Sequence, residues 1–427
     1  MKIKVAVFPS GTEIGLEINR ALRYSKDIEL YGLSSIKDHT RCVYKNYIED
    51  LPYYYEKPFI KTLNFYIKKY NLDFIYPAHD DVLLFLTKEQ KNIDSKIITS
   101  ELETVEICRS KKKTYDFFKE EEFIPKVYLE DCIEEFPVFL KPNIGQGSKG
   151  AQKINNRDEL EASLKKIKDP VICEYLPGEE YTIDCFTDFK GSLKICKQRI
   201  RKRIKDGISV DSEVVKLEKE IWNIANVINN KLKINGAWFF QVKKDKKDHY
   251  KLLEIAPRIA GTMGLTRNLG INYPLLTIYN NLKIPIEIVE NKYEIEVDRA
   301  LFNRYVTNIY YENVYIDLDD TLILNGKVNT FLIMFLYQCV NNNKKIFLIT
   351  KHKNKVNNTL SKYKISTEIF EEIILLKDYE NKSDVIQDRA SIFIDDSFSE
   401  RKKVFEKTDI PVFDLDSIEC LIDWRDY

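Results

Sequence analysis

A chain of 427 residues offers material for two or three domains with buried cores. Lys+Arg and Asp+Glu both total 67, and this zero formal net charge exerts no global pull toward nucleic acid or an anionic membrane. Eight scattered cysteines, without a CxxC pair or neighbouring histidines, argue against a disulfide framework or zinc site and for a reducing cytoplasm.

The opening MKIKVAVFPSG carries an apolar run too short for a signal peptide, and no later stretch approaches a membrane span. A soluble cytoplasmic protein without membrane insertion or nucleic-acid binding is expected. Residues 1–105 alternate short apolar runs with amphipathic stretches (KVAVFPS then IGLEINRAL, DFIYPAH then DVLLFLTKE, SKIITS last), the rhythm of β-α-β units around a parallel sheet. GTEIG lacks the GxGxxG spacing and reads as a tight strand-to-helix turn. His79, Asp80 and Asp81 close another strand. Asp80 or Asp81 is expected to cap the next helix, with a substrate contact as the alternative.

Residues 106–305 follow a mixed α+β pattern. A helix, KKKTYDFFKEEEF, leads into the strand FPVFLKP, a glycine loop, the strands VICEYL, YTIDCFTD and SLKICKQRI, an amphipathic helix around KLEKEIWNIANVINNKL, and the strands GAWFFQVKKD and HYKLLEIAPR. Gly145-Gln146-Gly147-Ser148-Lys149-Gly150 fits GxGxxG. A dinucleotide site requires a helix after those glycines, whereas the strand-like AQKI follows here, which disfavours a nicotinamide-dependent oxidoreductase. A glycine loop between two strands instead closes over phosphates with its backbone N–H groups, and Lys141 adds a cation. Arg199, Arg201 and Arg203 alternate along one strand face, read equally as a solvated face or as contacts to an acidic substrate.

In residues 306–427 the apolar strand Val314–Ile316 runs into Asp317-Leu318-Asp319-Asp320-Thr321. Two alternating carboxylates suit phosphoryl transfer: one attacks phosphorus, the other protonates the leaving oxygen, and a divalent cation sits between them. Thr350 ends the run IFLIT, Lys382 stands in NKSDVI, and Asp395-Asp396 end SIFI. Each is expected at the carboxyl end of a parallel strand, where open α/β sheets place ligands.

These four motifs, in this order, resemble the haloacid dehalogenase (HAD) phosphatases. The resemblance implies Asp317 as nucleophile, Asp319 as general acid/base, and Thr350 and Lys382 as holders of the phosphoryl group. It also implies a Mg²⁺ site formed by Asp317, the Asp319 backbone carbonyl and Asp395, supported by Asp396. The 28 residues from 322 to 349, like those between Thr350 and Asp395, leave no room for a lid, so a capless domain is expected.

Residues 1–300 resemble the ATP-grasp superfamily, in its carbamoyl-phosphate-synthetase-like branch, with the motifs at 108–270. The resemblance implies ATP with Mg²⁺, or alternatively Mn²⁺. Lys111 and Lys141 match the phosphate-side cations, and Gly145, Gly147, Ser148 and Gly150 the phosphate cover. Glu174 matches the adenine-hinge carboxylate, with the Tyr175 and Leu176 backbone facing the ring, and Glu180 the ribose ligand. Gln241 and Glu254 match the magnesium ligands, hard oxygens that suit Mg²⁺. Arg258 is placed to reach the transferred phosphoryl group or an oxyanion. The family's E-x-N-P-R reads Ala256 in place of Asn, so a second metal is expected to bind weakly, or water or Gln241 fills its position.

The expectation is an α/β and α+β multidomain chain: a Rossmann-like pre-ATP-grasp domain (1–105), an ATP-grasp domain (106–305) and a capless HAD-like Rossmannoid domain (306–427). The expected enzyme is bifunctional. A carboxylate–amine ligase works through an acyl phosphate and releases ADP and phosphate, and a Mg-dependent phosphatase works through an aspartyl phosphate. The expected partners are a small-molecule or nucleotide-sugar carboxylate and an amine, free or phosphorylated, in surface-polysaccharide or nucleotide-sugar modification. The alternative is a phosphatase carrying a non-catalytic, regulatory ATP-binding module.

Overall fold

The fully buried run Val5–Phe8 makes β1 (Ile3–Phe8) the middle strand of a parallel sheet, since only strands covered on both faces read as continuous apolar runs. The computed structural model describes residues 2–205, 207–301, 303–386 and 388–425. The chain divides into two units, residues 1–301 and 302–427.

In the first unit, β1 is followed by α1 (Glu13–Leu22), β2 (Ile28–Leu33), β3 (Asn46–Ile48), α2 (Phe59–Tyr70), β4 (Phe74–Pro77), α3 (Asp80–Lys88) and β5 (Lys96–Ile97). The strand order is β3-β2-β1-β4-β5, parallel throughout. The order reverses between β1 and β4, so the turns after these two strands flank the crevice that such sheets use for ligands. Helix α3 is capped by His79, whose Nδ1 accepts the Asp81 N–H at 3.2 Å. The expected cap by Asp80 or Asp81 is therefore incorrect. The imidazole satisfies the helix start and leaves both carboxylates to arginines, as shown below.

Two helices, α4 (Leu102–Arg109) and α5 (Lys111–Phe117), lead into β6 (Val127–Tyr128), β7 (Val138–Pro142), β8 (Gln152–Ile154), α6 (Arg157–Leu164) and β9 (Pro170–Glu174). These strands form a small antiparallel sheet ordered β6-β9-β7-β8. The helix expected through KKKTYDFFKEEEF stops at Phe117. Continuing it would stack Glu120, Glu121 and Glu122 at the negative end of the helix dipole, and stopping it lets Phe118 and Phe123 enter the core.

The third sheet is built from β10 (Glu180–Thr187), β11 (Leu193–Lys205), β12 (Ile208–Val215), α7 (Lys219–Lys231), β13 (Gly236–Lys244), β14 (Tyr250–Ala256), α8 (Gly264–Arg267), α9 (Tyr273–Asn281) and β15 (Glu296–Asp298). Its order is β14-β13-β10-β11-β12-β15, antiparallel. Strand alternation sends Trp238, Phe240 and Val242 into a cluster with α7. Phe239 and Ala256, on the opposite face, join a cluster with Val5, Val7 and Tyr76 of the first sheet.

The second unit contains β16 (Asn313–Ile316), a hairpin of β17 (Ile323–Leu324) and β18 (Lys327–Val328), α10 (Thr330–Asn341), β19 (Lys345–Thr350), α11 (Val356–Lys362), β20 (Glu372–Leu375), β21 (Ser391–Ile394), α12 (Phe398–Thr408) and β22 (Val412–Phe413). Five strands form a parallel sheet ordered β20-β19-β16-β21-β22. Val314 and Ile316 face a cluster with Phe335 and Leu360, while Tyr315 faces the opposite cluster with Val404. Among the described residues, no helix is long and apolar enough to cross a membrane.

Candidate functional site

The second and third sheets of the first unit enclose a cleft of about 950 Å³, open solvent included, and Lys111, Lys141, Gly145, Gly147, Ser148, Glu174, Tyr175, Leu176, Glu180, Gln241 and Glu254 all line it. These eleven candidates lie up to 143 residues apart in sequence. Gly150 and Arg258 do not line the cleft. Gly150 turns the loop back at φ +75° against Pro142, and Arg258 is moored at the first sheet.

Lys141 is buried, and its Nζ donates to the Tyr115 hydroxyl at 2.6 Å. Tyr115 in turn donates to the Leu253 carbonyl at 3.0 Å. Burial presses the Lys141 pKa down, but Tyr115, Cys173 and Glu254 outweigh it, so the ammonium stays charged. Lys111 is shifted below its ordinary value by burial, with Glu254 opposing the shift. Tyr115, which the sequence reading missed, follows Lys111 by one helical turn on α5, and that spacing is the signal that could have found it.

Gln241 and Glu254 face each other across β13 and β14. Both present oxygen donors to the cleft, and among the described residues no cluster of three or more His, Cys, Asp or Glu forms a complete metal cage. Two protein oxygens fit Mg²⁺, which keeps waters and takes phosphate oxygens for its remaining positions. Ala256, two residues beyond Glu254, is 6% exposed and packs in the apolar cluster with Phe239. Glu180 pairs with Arg201 and stands 3.9 Å from Lys243, so a carboxylate at the cleft mouth is held by two cations, of which Lys243 was not anticipated.

The three arginines of β11 do not share a solvated face. Arg199 is fully buried and grips Asp184 through two bonds of 2.6 Å, with a third to Thr262 at 2.8 Å. Arg201 lines the cleft and donates to the Gly207 carbonyl at 2.7 Å. Only Arg203, exposed and paired with Asp298, fits a surface role. Two register shifts between Arg201 and Ile204, together with the strand running from core to tip, separate their environments.

The glycine loop is held from two sides. Arg109 bridges Asp81 at 2.7 Å and the Gly145 carbonyl at 3.3 Å, while Gln146 meets His79 at 2.9 Å. On the other side Gly207, at φ +75°, lies so close to Gly147 that an added Cβ would stand 2.2 Å from its carbonyl carbon. Arg258 donates to both Asp80 oxygens at 2.6 Å and stacks 5.3 Å from the Phe239 ring centre. Burial alone would raise the Asp80 pKa, but Arg258 outweighs it and holds the carboxyl at about 2.

Residues 166–301 match a family model described as ATP-grasp in the biosynthetic pathway with Ter operon. D-alanine–D-alanine ligase from Fusobacterium nucleatum subsp. nucleatum is 34% identical over 123 residues, 26% of this chain, which spans 43% of that relative's length. The biotin carboxylase domain of Hydrogenobacter thermophilus 2-oxoglutarate carboxylase, solved with MgADP and bicarbonate, superposes with a TM-score of 0.56 at 16% identity, covering 68% of this chain and 72% of the other. The L-amino acid ligase of Bacillus licheniformis gives 0.53 at 18% identity, covering 68% and 75%. The fold is ATP-grasp. Within the ATP-grasp unit the glycine loop of β7 and β8 and the Gln241–Glu254 pair therefore occupy one cleft between its two antiparallel sheets.

Apart from Lys382, the candidate residues of the second unit lie at the carboxyl ends of β16, β19 and β21. Lys382 Nζ donates to Asp317 at 2.6 Å and to Asp395 at 2.5 Å, all three being buried. Burial, opposed by Lys382 and reinforced by Asp395, pushes the Asp317 pKa up to about 7. Burial likewise raises Asp395. Two carboxylates sharing one ammonium leave a formal negative charge, which fits a divalent cation.

Lys382 does not end a strand as expected. β20 stops at Leu375, and a polar loop delivers Lys382 in a single 3₁₀ turn, Lys382–Asp384. Of the remaining candidates, Thr350 and Asp319 both meet His352. Thr350 is fully buried and its Oγ1 accepts the His352 N–H at 3.1 Å. Asp396 accepts from the Thr321 hydroxyl at 3.2 Å. Asp319 meets His352 Nδ1 at 2.9 Å. His352 was not singled out in the sequence.

Proposed function

We propose that the chain is a bifunctional enzyme: an ATP- and Mg²⁺-dependent carboxylate–amine ligase in the first unit and a HAD-type phosphatase in the second. The observation that carries the ligase is the convergence on one cleft of two lysines, a glycine loop and the Gln241–Glu254 pair. Bound MgATP would supply the phosphoryl group that turns a carboxylate into an acyl phosphate, leaving ADP, and an amine would then displace phosphate to form the amide.

The chain's own residues bind and orient. Lys111 and Lys141 neutralise phosphate charge, the loop 145–150 offers backbone N–H groups, and Glu174 and Glu180 flank the nucleoside end. With two protein oxygens, Gln241 and Glu254 would hold Mg²⁺. Ala256 supplies no further ligand, because it belongs to the apolar core. Arg258, held by both Asp80 oxygens at the switch point of the first sheet, would have to leave that pair to reach the transferred phosphoryl group.

In the second unit Asp317 attacks phosphorus, the P–O bond to the leaving group breaks, and the Asp319 carboxyl gives that oxygen its proton. Water then attacks the aspartyl phosphate and yields its proton to Asp319, releasing phosphate. The Lys382 ammonium shared by Asp317 and Asp395 supports this assignment. Mg²⁺ held by Asp317 and Asp395 would offset phosphate charge. The presence of both activities in one chain supports sequential steps on a phosphorylated substrate, as in nucleotide-sugar or surface-polysaccharide modification.

Nucleotide analysis with candidate carboxylates and amines tests the ligase. ADP and phosphate are expected. AMP and pyrophosphate would overturn the acyl-phosphate route, and binding without turnover would favour the regulatory module.

A further inference from the structure

His352 joins two parts of the phosphatase site that no other described side chain connects. Parallel pairing of β16 and β19 sets Ile316 beside Leu348, so the chain leaving β19 runs next to the chain carrying Asp317 and Asp319. The His352 backbone N–H donates to Thr350 Oγ1 at 3.1 Å. Its ring Nδ1 lies 2.9 Å from both Asp319 oxygens. Its Nε2 is fixed by Thr359 Oγ1 at 2.8 Å from α11.

The Asp319 side chain is 52% exposed and the His352 side chain only 11%. A half-exposed carboxyl on a strand-end turn has several rotamers open to it. The imidazole, anchored at Nε2 by Thr359 and through its own backbone N–H at Thr350, therefore restricts the carboxyl and not the reverse. Equal distances from Nδ1 to both oxygens place the ring across the fork of the carboxyl and direct its rotation.

We infer that His352 is a positioning residue for proton transfer by Asp319, holding its carboxyl toward the leaving oxygen while its backbone orients the Thr350 hydroxyl. This rests on the phosphatase reading of the second unit. Its chemistry is confined to one step: as the P–O bond breaks, the electron pair stays on the leaving oxygen, which takes the Asp319 proton. A substrate whose leaving group is a stable anion needs no such proton, whereas an alkyl alcohol does.

The test uses the full chain with Mg²⁺ and two esters, p-nitrophenyl phosphate and glycerol phosphate. His352→Ala should lower kcat on glycerol phosphate about tenfold more than on p-nitrophenyl phosphate, within the range that general acid catalysis contributes. His352→Asn, which returns an N–H near the place of Nδ1, should recover most of that difference. Thr359→Val, which releases the ring at Nε2, should shift the ratio in the same direction by less. Equal losses on both esters for His352→Ala would overturn the inference, since a merely structural role does not depend on the leaving group. Wild-type protein without Asp317-dependent activity on either ester would instead overturn the phosphatase reading itself, a result distinct from a uniform loss.

Discussion

Asp80 accepts two hydrogen bonds of 2.6 Å from Arg258, across 178 residues of sequence. The pair connects the switch point of the first sheet to the chain leaving the strand that carries Glu254. Asp80→Asn should destabilise the protein by about 2–3 kcal/mol, because it leaves the guanidinium with a neutral partner. It should also lower ligase turnover more than phosphatase turnover. Urea unfolding and separate assays of the two activities check this.

The same carboxyl gives a pH dependence with a definite sign. Its pKa falls from 3.8 to about 2 on folding. A depressed acid adds stability that is complete above its unfolded pKa and vanishes as pH falls through the folded one. Wild-type protein should therefore lose about 2 kcal/mol of this contribution between pH 5 and pH 2, and Asp80→Asn should not. The difference between their urea midpoints, measured across that range, should shrink toward low pH.

Arg199 and Arg203, two pleats apart on β11, should respond very unequally to removal. Arg199→Ala leaves Asp184 buried and unpaired, and should cost about 3–5 kcal/mol. Arg203→Ala removes an exposed pair with Asp298 and should cost less than about 1 kcal/mol. Thermal and urea unfolding of the two variants decide the matter.

Gly207→Val is directed at the glycine loop. A side chain there meets Gly147 backbone and demands a φ that β-branched residues avoid. The loop should be displaced, raising KM for ATP about tenfold or more at little change in phosphatase activity. Unaltered KM would show that the hairpin tip does not support the loop.

Lys141→Ala and Glu254→Ala should abolish ADP release and leave phosphomonoester hydrolysis intact, whereas Asp317→Asn should do the reverse. The two sets lie in separate units with separate cores. Loss of both activities in any one variant would contradict two independent sites.

Much of the candidate site was legible because its chemistry is local in sequence. The alternation in YIDLDDT, the glycine loop after FLKP and the acidic ends of apolar runs each follow from a strand ending where polar atoms must reach solvent or ligand. Lys382 was legible as a residue but not as an element, since a polar loop, not a strand, delivers it between Asp317 and Asp395.

Pairing across long separations was not legible. QRIRKR looks uniform, yet its three arginines occupy a buried ion pair, a cleft wall and open surface. Burial along a strand depends on what covers the sheet, and periodicity does not encode that. Only the pairing of β19 beside β16 brings His352 to Asp319. Strand periods and strand-end carboxylates were determined by the sequence alone, through the two-residue repeat of the backbone. Which arginine is neutralised by Asp184, which by Asp80, and which imidazole meets Asp319 was decided by tertiary structure, because charges pair with whatever the fold brings within hydrogen-bond reach.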